Sequence, residues 1–172
     1  MTGYMEVKQT EMRKYALSWL DLTDPIIELG CSDGNFAVLL KDHGFKSYVG
    51  IDILTNKIEK AKTVCPDMNF VCCNILNNLH MIKRIQTFVS FQCLEHIKED
   101  LTIIQSLPVG CKVIISVPNR PYKGHVRWFE LDGWTERFVP YIDFTETITI
   151  QHPRKVNNRS FLFRGVRNGH TN

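Results

Sequence analysis

The chain has 172 residues, of which 44% are hydrophobic, 23% charged and 10% aromatic. This profile fits one compact domain with a substantial core, and no repeat or low-complexity tract interrupts it. No apolar stretch approaches the roughly 20 residues that a membrane helix needs. The N-terminus lacks the basic-then-apolar layout of a secretory signal. We therefore expect one cytoplasmic domain over residues 1–172.

The cysteines and the charges are unevenly placed. Six cysteines lie mostly in or beside apolar runs without a CxxC pair, which indicates free thiols in a reducing compartment. The net charge is +3, and residues 120–172 carry 9 Lys and Arg against 5 Asp and Glu. Such a basic end either neutralises phosphates of RNA or of a nucleotide-linked substrate, or forms the solvated face of an edge hairpin. We favour the hairpin.

Helical and strand-like segments alternate along the first 119 residues. The periodicity predicts helices over 4–20, 35–44, 56–66, 78–84 and 95–106. Between them lie five apolar runs, PIIELG, KSYVGIDIL, MNFVCCNI, QTFVSFQCL and GCKVIISVPN. Because these runs are continuously apolar, they predict parallel strands that helices cover on both faces.

The last third of the chain has a different pattern. After the helix-like ELDGWTERF come two strand-like runs, FVPYIDFTETITI and RSFLFRGVRN, separated by a turn-rich segment. The first run alternates apolar and polar residues in its second half, as an exposed antiparallel pair does. The sequence thus predicts an α/β three-layer sandwich with a C-terminal hairpin. Within it we expect an N-terminal helix (4–20), a ligand-binding core (24–119), and a loop and hairpin (120–168).

A glycine-containing loop follows the first predicted strand. In IIELGCSDGNF, residues 26–36, Gly30 and Gly34 allow a sharp turn and close approach of a ligand to the backbone. The spacing is E-x-G-x-S-x-G; a dinucleotide loop would have its third glycine where Asn35 stands. About twenty residues on, Asp52 ends the second predicted strand, where a carboxylate can accept both hydroxyls of a ribose.

With these residues, the sequence resembles the class I S-adenosylmethionine-dependent methyltransferases, close to their small-molecule, ubiquinone-type branch. ELGCSDG and VGIDI are similar to the first two family motifs, and VCCNILN, SFQCLEHI and LPVGCKVIISVPN to the next three, in order. The resemblance implies a Rossmann-like, seven-stranded, mostly parallel sheet whose last strand is antiparallel. It also implies S-adenosylmethionine as the cofactor.

The resemblance further implies roles for individual residues. Glu28 would help hold the amino group of the cofactor, Asp52 would hold its ribose, and Gln92 would lie near the sulfonium. Gly30, Cys31, Ser32 and Gly34 would wrap the methionine moiety, and Ile53, Asn74 and Ile75 would frame the adenine. The chain departs from the family pattern at three places: Ser32 replaces the middle glycine, Gly110-Cys111 replaces a Gly-Gly pair, and Asn74 replaces an acid. Ser32 costs little if its backbone angles are ordinary.

The same loop also reads as G-x-S-x-G, the nucleophile elbow of an α/β-hydrolase. In that alternative Ser32 attacks an ester, with His152 or His170 as the downstream histidine. However, such an elbow should follow several strands, and this one follows the first. The esterase is the remote alternative.

Candidate catalytic groups follow the fourth and fifth predicted strands. His96 and His125 are candidate general bases, although methyl transfer by in-line attack can proceed without one. Glu95 either favours the start of the helix over 95–106 or faces the acceptor. A metal-assisted site would need clustered acids, and only Glu95, Glu99 and Asp100 are near, so we expect no metal.

Loops after the carboxyl ends of parallel strands line the ligand crevice. The loop after the fifth strand therefore offers Tyr122, His125, Arg127 and Trp128 for acceptor contact, although its tryptophans could equally be core. We predict methyl transfer to an oxygen or nitrogen of a small, anionic acceptor. Two alternatives stay open: a catalytically silent cofactor-binding partner or regulatory subunit, and an RNA methyltransferase. For the assembly, a homodimer is the expectation that stays open.

Overall fold

The computed structural model describes residues 3–151, 155 and 157–170, with side chains from Thr10 onward. Seven strands form one sheet in the order β3-β2-β1-β4-β5-β7-β6. Their bounds are β1 Ile26–Leu29, β2 Tyr48–Asp52, β3 Asn69–Cys72, β4 Thr87–Phe91, β5 Lys112–Pro118, β6 Ile142–Gln151 and β7 Arg159–Arg167. Strands β1 to β5 pair in parallel, and β7 is antiparallel to both of its neighbours. This is the predicted sheet.

Five α-helices and three short 3-10 turns connect the strands. The helices are α1 Gly3–Ser18, α2 Asn35–Asp42, α3 Thr55–Val64, α4 Asp100–Ser106 and α5 Leu131–Phe138. The 3-10 turns cover Ile75–Asn77, Leu79–Ile82 and Leu94–His96. In the described residues no helix is long and apolar enough to cross a membrane.

Two apolar clusters cover the two faces of the sheet. Alternate residues of β5 divide between them: Val113 and Ile115 join one cluster, and Ile114 joins the other. The first cluster includes Ile104 of α4 and Trp134 of α5, while α1, α2 and α3 contribute to the second. Successive strand residues point to opposite faces, so the sheet is buried between helical layers. The predicted three-layer α/β sandwich is confirmed.

The single helix expected over residues 95–106 is wrong in detail. A 3-10 turn ends at His96, Ile97 is extended, and α4 begins only at Asp100. A tertiary contact accompanies this break, because the Arg127 guanidinium donates hydrogen bonds to the carbonyls of Leu94, Ile97 and Lys98. These bonds hold the non-helical segment between the 3-10 turn and α4 against the loop after β5.

The basic C-terminal segment lies in a hairpin at the edge of the sheet, but its charge is not on the outermost strand. That strand is β6, whose charged residues are Asp143 and Glu146, while Arg159, Arg164 and Arg167 lie on the inner strand β7 and the exposed Lys155 lies between the two strands. Arg159 pairs with Glu130 at 3.1 Å. Arg167 is buried and donates to carbonyls, including that of Ile104 at 3.1 Å. Part of the excess charge therefore serves packing and loop attachment.

Candidate functional site

A cleft of about 700 Å³ opens at the carboxyl ends of β1, β2 and β4. It lies where the chain order reverses, because β2 lies on one side of β1 and β4 on the other. Open α/β sheets bind ligands at this switch point. Among the predicted cofactor residues, the cleft is lined by Gly30, Ser32, Asp52, Ile53, Asn74, Ile75 and Gln92.

The carboxylate of Asp52 is held rigidly at the floor of this cleft. Its Oδ2 accepts a hydrogen bond from the backbone N–H of Ser32 at 2.9 Å, and its Oδ1 accepts one from Leu54 N–H at 3.0 Å. Each carboxylate oxygen has two acceptor positions, so one on each oxygen remains for a ligand. The side chain is thus preorganised to accept two hydroxyl hydrogens.

The loop after β1 is built on left-handed backbone. Gly30 has φ 77°, and a Cβ there would lie 2.6 Å from Cys93 Sγ. Gly34, also at φ 77°, is the N-cap residue directly before α2. Ser32 has φ 49°, which lies in the left-handed region. The expectation that this serine costs little depended on ordinary backbone angles, so the serine is strained at the position where the family motif has glycine. Gln92 on the facing loop has φ 50°.

Three predicted cofactor residues, Glu28, Cys31 and Gly34, lie behind the described walls of the cleft rather than on them. Glu28 is buried and accepts a 2.5 Å hydrogen bond from the Tyr48 hydroxyl. Burial raises its pKa to about 7, against the opposing effects of that hydrogen bond and of Arg13. Cys31 is buried, and desolvation raises the pKa of its thiol well above the usual range. Neither group reaches the cleft surface.

Asn74 and Gln92 are both tied to the scaffold. Asn74 Oδ1 accepts from Leu76 N–H at 3.0 Å and so caps the first 3-10 turn. Gln92 Nε2 donates to the Ser116 hydroxyl at 3.3 Å, and its Oε1 accepts from the Ser160 hydroxyl at 3.4 Å. The side chain of Gln92 therefore links the cleft to β5 and β7.

The candidate catalytic groups form a compact cluster beside the cleft. His96 lines the cleft, and its ring packs edge-on against that of His125 with centroids 4.7 Å apart. Glu95 is fully buried and lies 3.8 Å from His125 Nε2. Burial raises the pKa of Glu95 to about 8, and burial together with His96 lowers the pKa of His125. Glu95 lies in a 3-10 turn, so the expectation that it favours the start of a helix over 95–106 is wrong.

The loop after β5 contributes less to the cleft than expected. Val126 lines it, whereas Tyr122 and Trp128 are exposed and Arg127 is occupied with carbonyls and with Asp100 at 3.0 Å. Acceptor contact by Tyr122, Arg127 and Trp128 stays a prediction. Trp134 is core, with its indole N–H donating to Pro118 O at 2.8 Å.

The described residues do not bring Ser32 and His170 of the esterase alternative together. Ser32 lies at the carboxyl end of β1. His170 follows β7, which runs antiparallel to β5, so it lies toward the opposite edge of the sheet. His152 lies outside the described residues. The six cysteines, all described, are free thiols, of which Cys72 is exposed.

Sequence reasoning missed several residues of the cleft wall. Arg13 of α1 reaches it, and Phe91, Cys93, Lys98 and Glu99 line it around the end of β4. A helix preceding the first strand offers no local sign of which side chain faces the cleft. Cys93 alone could have been predicted to line the cleft, because it lies just after the end of β4.

Comparison with known proteins identifies the family. The methyltransferase domain family matches residues 1–161, and the chain belongs to it. No curated protein matches the chain significantly. Among solved structures, magnesium protoporphyrin IX methyltransferase ChlM from Synechocystis PCC 6803, solved with bound SAH, is similar at 13% identity and TM-score 0.75, covering 95% of this chain and 85% of that one.

Two further solved structures have the same fold. The N-methyltransferase NodS from Bradyrhizobium japonicum WM9, in complex with S-adenosyl-L-homocysteine, is 16% identical with TM-score 0.74, covering 96% of this chain and 88% of that one. The methyltransferase domain of bacterial CtHen1-C is 16% identical with TM-score 0.73, covering 94% and 100%. At these identities the likeness shows the fold alone.

Proposed function

We propose that the cleft binds S-adenosylmethionine and that the chain transfers its methyl group to an oxygen or nitrogen of a small, anionic acceptor. The observation that carries this proposal is the Asp52 carboxylate, fixed by two backbone N–H groups at the switch point of the sheet. Membership of the methyltransferase family supports it. So do the bound S-adenosylhomocysteine and S-adenosylmethionine in the ChlM structures.

The residues of the cleft fit this cofactor. Asp52 can accept both ribose hydroxyls, and Ile53 and Ile75 offer apolar contacts for a base. At Gly30 a Cβ would collide with Cys93, so the two loops meet closely around the space where the methionine moiety would lie. When bound, S-adenosylmethionine supplies an electrophilic methyl group on a sulfonium.

The protein's own contribution is then positioning, water exclusion and proton removal. His96 lines the cleft, and its Nδ1 is engaged with Gly124 O at 3.0 Å, which directs Nε2 to other partners. That nitrogen could remove the acceptor proton. The cleft wall carries two cations, Arg13 and Lys98, and two acids, Asp52 and Glu99. With Asp52 assigned to the ribose, Arg13 and Lys98 are the groups that would pair with an anionic acceptor.

The first test is calorimetric titration of the full chain with S-adenosylmethionine and S-adenosylhomocysteine. We expect Asp52→Ala to weaken binding about 10- to 100-fold, because hydrogen bonds to a charged group contribute about 1.5–3 kcal/mol. Asp42→Asn is the matched control, since Asp42 is exposed and lies on α2. Absence of wild-type binding below about millimolar concentration would overturn the cofactor assignment, and unchanged affinity in Asp52→Ala would overturn the role of Asp52.

The second test separates an enzyme from a silent subunit. Candidate acceptors carrying a carboxylate or phosphate beside a hydroxyl or amine are incubated with the chain and cofactor, and S-adenosylhomocysteine is quantified. Acceptor-dependent product that His96→Gln slows supports the enzyme. Cofactor binding without product across such acceptors contradicts the proposed transfer.

A further inference from the structure

Glu95, His96 and His125 place three metal-ligating atoms close together at the edge of the cleft. One carboxylate oxygen and one nitrogen from each ring lie within 4.8 Å of one another. The three residues come from two loops, the turn after β4 and the loop after β5. A hydrogen bond from Val126 N–H to Glu95 O, 2.8 Å long, joins these loops. The cluster is thus part of a connected structure.

Both imidazoles are oriented as in metal sites. His96 Nδ1 lies 3.0 Å from Gly124 O, and His125 Nδ1 lies 3.1 Å from Arg120 O. A carbonyl can only accept, so each Nδ1 donates a proton to it, and Nε2 is the ring nitrogen that can offer a lone pair to a metal. Histidines that bind metals generally donate their other ring N–H to a carbonyl or carboxylate in this way.

Glu95 is the independent sign that something is bound here. It is 0% exposed, and within the described part of the chain neither of its carboxylate oxygens has a hydrogen-bond partner. A buried polar group left unpaired is costly and rare in folded proteins. The Oε1 atom of Glu95 lies 3.8 Å from His125 Nε2. This distance is too long for a hydrogen bond but leaves room for an ion between the two atoms.

We infer that Glu95, His96 and His125 bind a divalent first-row transition-metal ion. Two imidazoles and one carboxylate suit Zn²⁺, Co²⁺, Mn²⁺ or Fe²⁺, whereas Mg²⁺ and Ca²⁺ prefer all-oxygen sites. Ligand atoms about 2.1 Å from a tetrahedral ion lie about 3.4 Å apart. The 3.8 Å separation of Glu95 and His125 is near this value, so small side-chain rotations complete the site. The expectation from the sequence that no metal binds considered only carboxylates as ligands and did not consider the imidazoles of His96 and His125.

Three protein ligands leave coordination positions open, and His96 places them beside the cleft. Resting on the proposed function, the ion would bind an acceptor hydroxyl and lower the pKa of that hydroxyl, which makes oxygen the favoured methyl acceptor. The two histidines would then be ligands, which replaces the general-base role given to His96 above. The acidified hydroxyl would lose its proton to solvent water, and its oxygen would take the methyl group as the sulfonium carbon–sulfur bond breaks and S-adenosylhomocysteine leaves.

The test measures metal binding without cofactor, so its failure is distinct from failure of methyl transfer. The full chain is freed of metal with a chelator and titrated with Zn²⁺ by calorimetry and with Co²⁺ by visible absorption. We expect one ion per chain and a d–d spectrum of nitrogen and oxygen ligands. Glu95→Gln and His125→Asn should each weaken binding at least about tenfold.

Two matched controls exclude other sources of binding. His43→Gln removes an exposed histidine on another face, and Cys72→Ser removes the exposed thiol. Both should bind Zn²⁺ as the wild type does. Circular dichroism establishes that each variant is folded, and Glu95→Gln keeps the shape of the side chain if His125→Asn fails to fold. The inference is overturned if Mg²⁺ binds as tightly as Zn²⁺, or if binding survives in folded Glu95→Gln or depends on Cys72.

Discussion

Replacing the buried Glu28 by glutamine should flatten the pH dependence of stability. The carboxyl has a pKa of about 7 in the folded chain against an ordinary value of 4.5, chiefly because burial disfavours its charge. Between these values the folded chain binds more protons than the unfolded chain, so its stability falls as the pH rises. From about pH 5.5 to pH 8 this carboxyl should cost the wild type about 2 kcal/mol of unfolding free energy.

The measurement is urea denaturation of wild type and Glu28→Gln at the two pH values. The pH-dependent loss should be about 2 kcal/mol smaller in the variant, because glutamine does not titrate. The comparison is needed because Glu95, with a pKa of about 8, adds a loss of the same sign in both proteins. Tyr48→Phe removes the hydrogen bond that favours the ionised carboxylate, so it should increase the loss. Equal pH dependence in wild type and Glu28→Gln would refute the reasoning.

Two further substitutions test the backbone and the loop. Ser32→Gly should raise the unfolding free energy by about 0.5–1 kcal/mol, because glycine relieves the left-handed strain. Ser32→Ala keeps that strain and should not raise the unfolding free energy. An equal gain in both variants would contradict this account. Arg127→Met should cost about 2–4 kcal/mol, because it frees three carbonyls and removes one partner of the buried Asp100. Lys123 is exposed, so Lys123→Met should change the unfolding free energy by less than about 0.5 kcal/mol. Thermal or urea denaturation measures both variants. Similar losses in Arg127→Met and Lys123→Met would show that Arg127 does not anchor the loop.

Local pattern was enough to predict the strands and most helices. The run VIISV has no charged residue and is apolar except at Ser116, because helices cover both faces of β5, and the structure buries all five positions. The predicted helix over 95–106 is wrong at its start: the periodicity of the segment is helical, but Arg127, about thirty residues later, donates hydrogen bonds to the carbonyls of the non-helical Ile97 and Lys98. Propensity carries no information about a donor that arrives from a distant loop.

In the candidate site, too, local features could be predicted and contacts between distant segments could not. The cleft residues Gly30 and Asp52 could be named in advance, because strand ends and the turns beside them are local features that a parallel sheet always brings to one edge. Asn74 could be named only through the resemblance to the methyltransferases. Arg13 could not be named in advance, since the packing of α1 decides which of its residues reaches the cleft.

The sequence by itself determined the order of strands and helices, the turn at Gly30 and the carboxylate at the end of β2. These depend on interactions between residues near in sequence or on the general rule that parallel strands align their carboxyl ends. Only the tertiary structure decided that His125 meets Glu95 and that no described group pairs with that carboxylate. It also decided that Arg127 anchors a loop. Those contacts join residues about thirty positions apart, and their distances depend on how two loops pack, which no local pattern encodes.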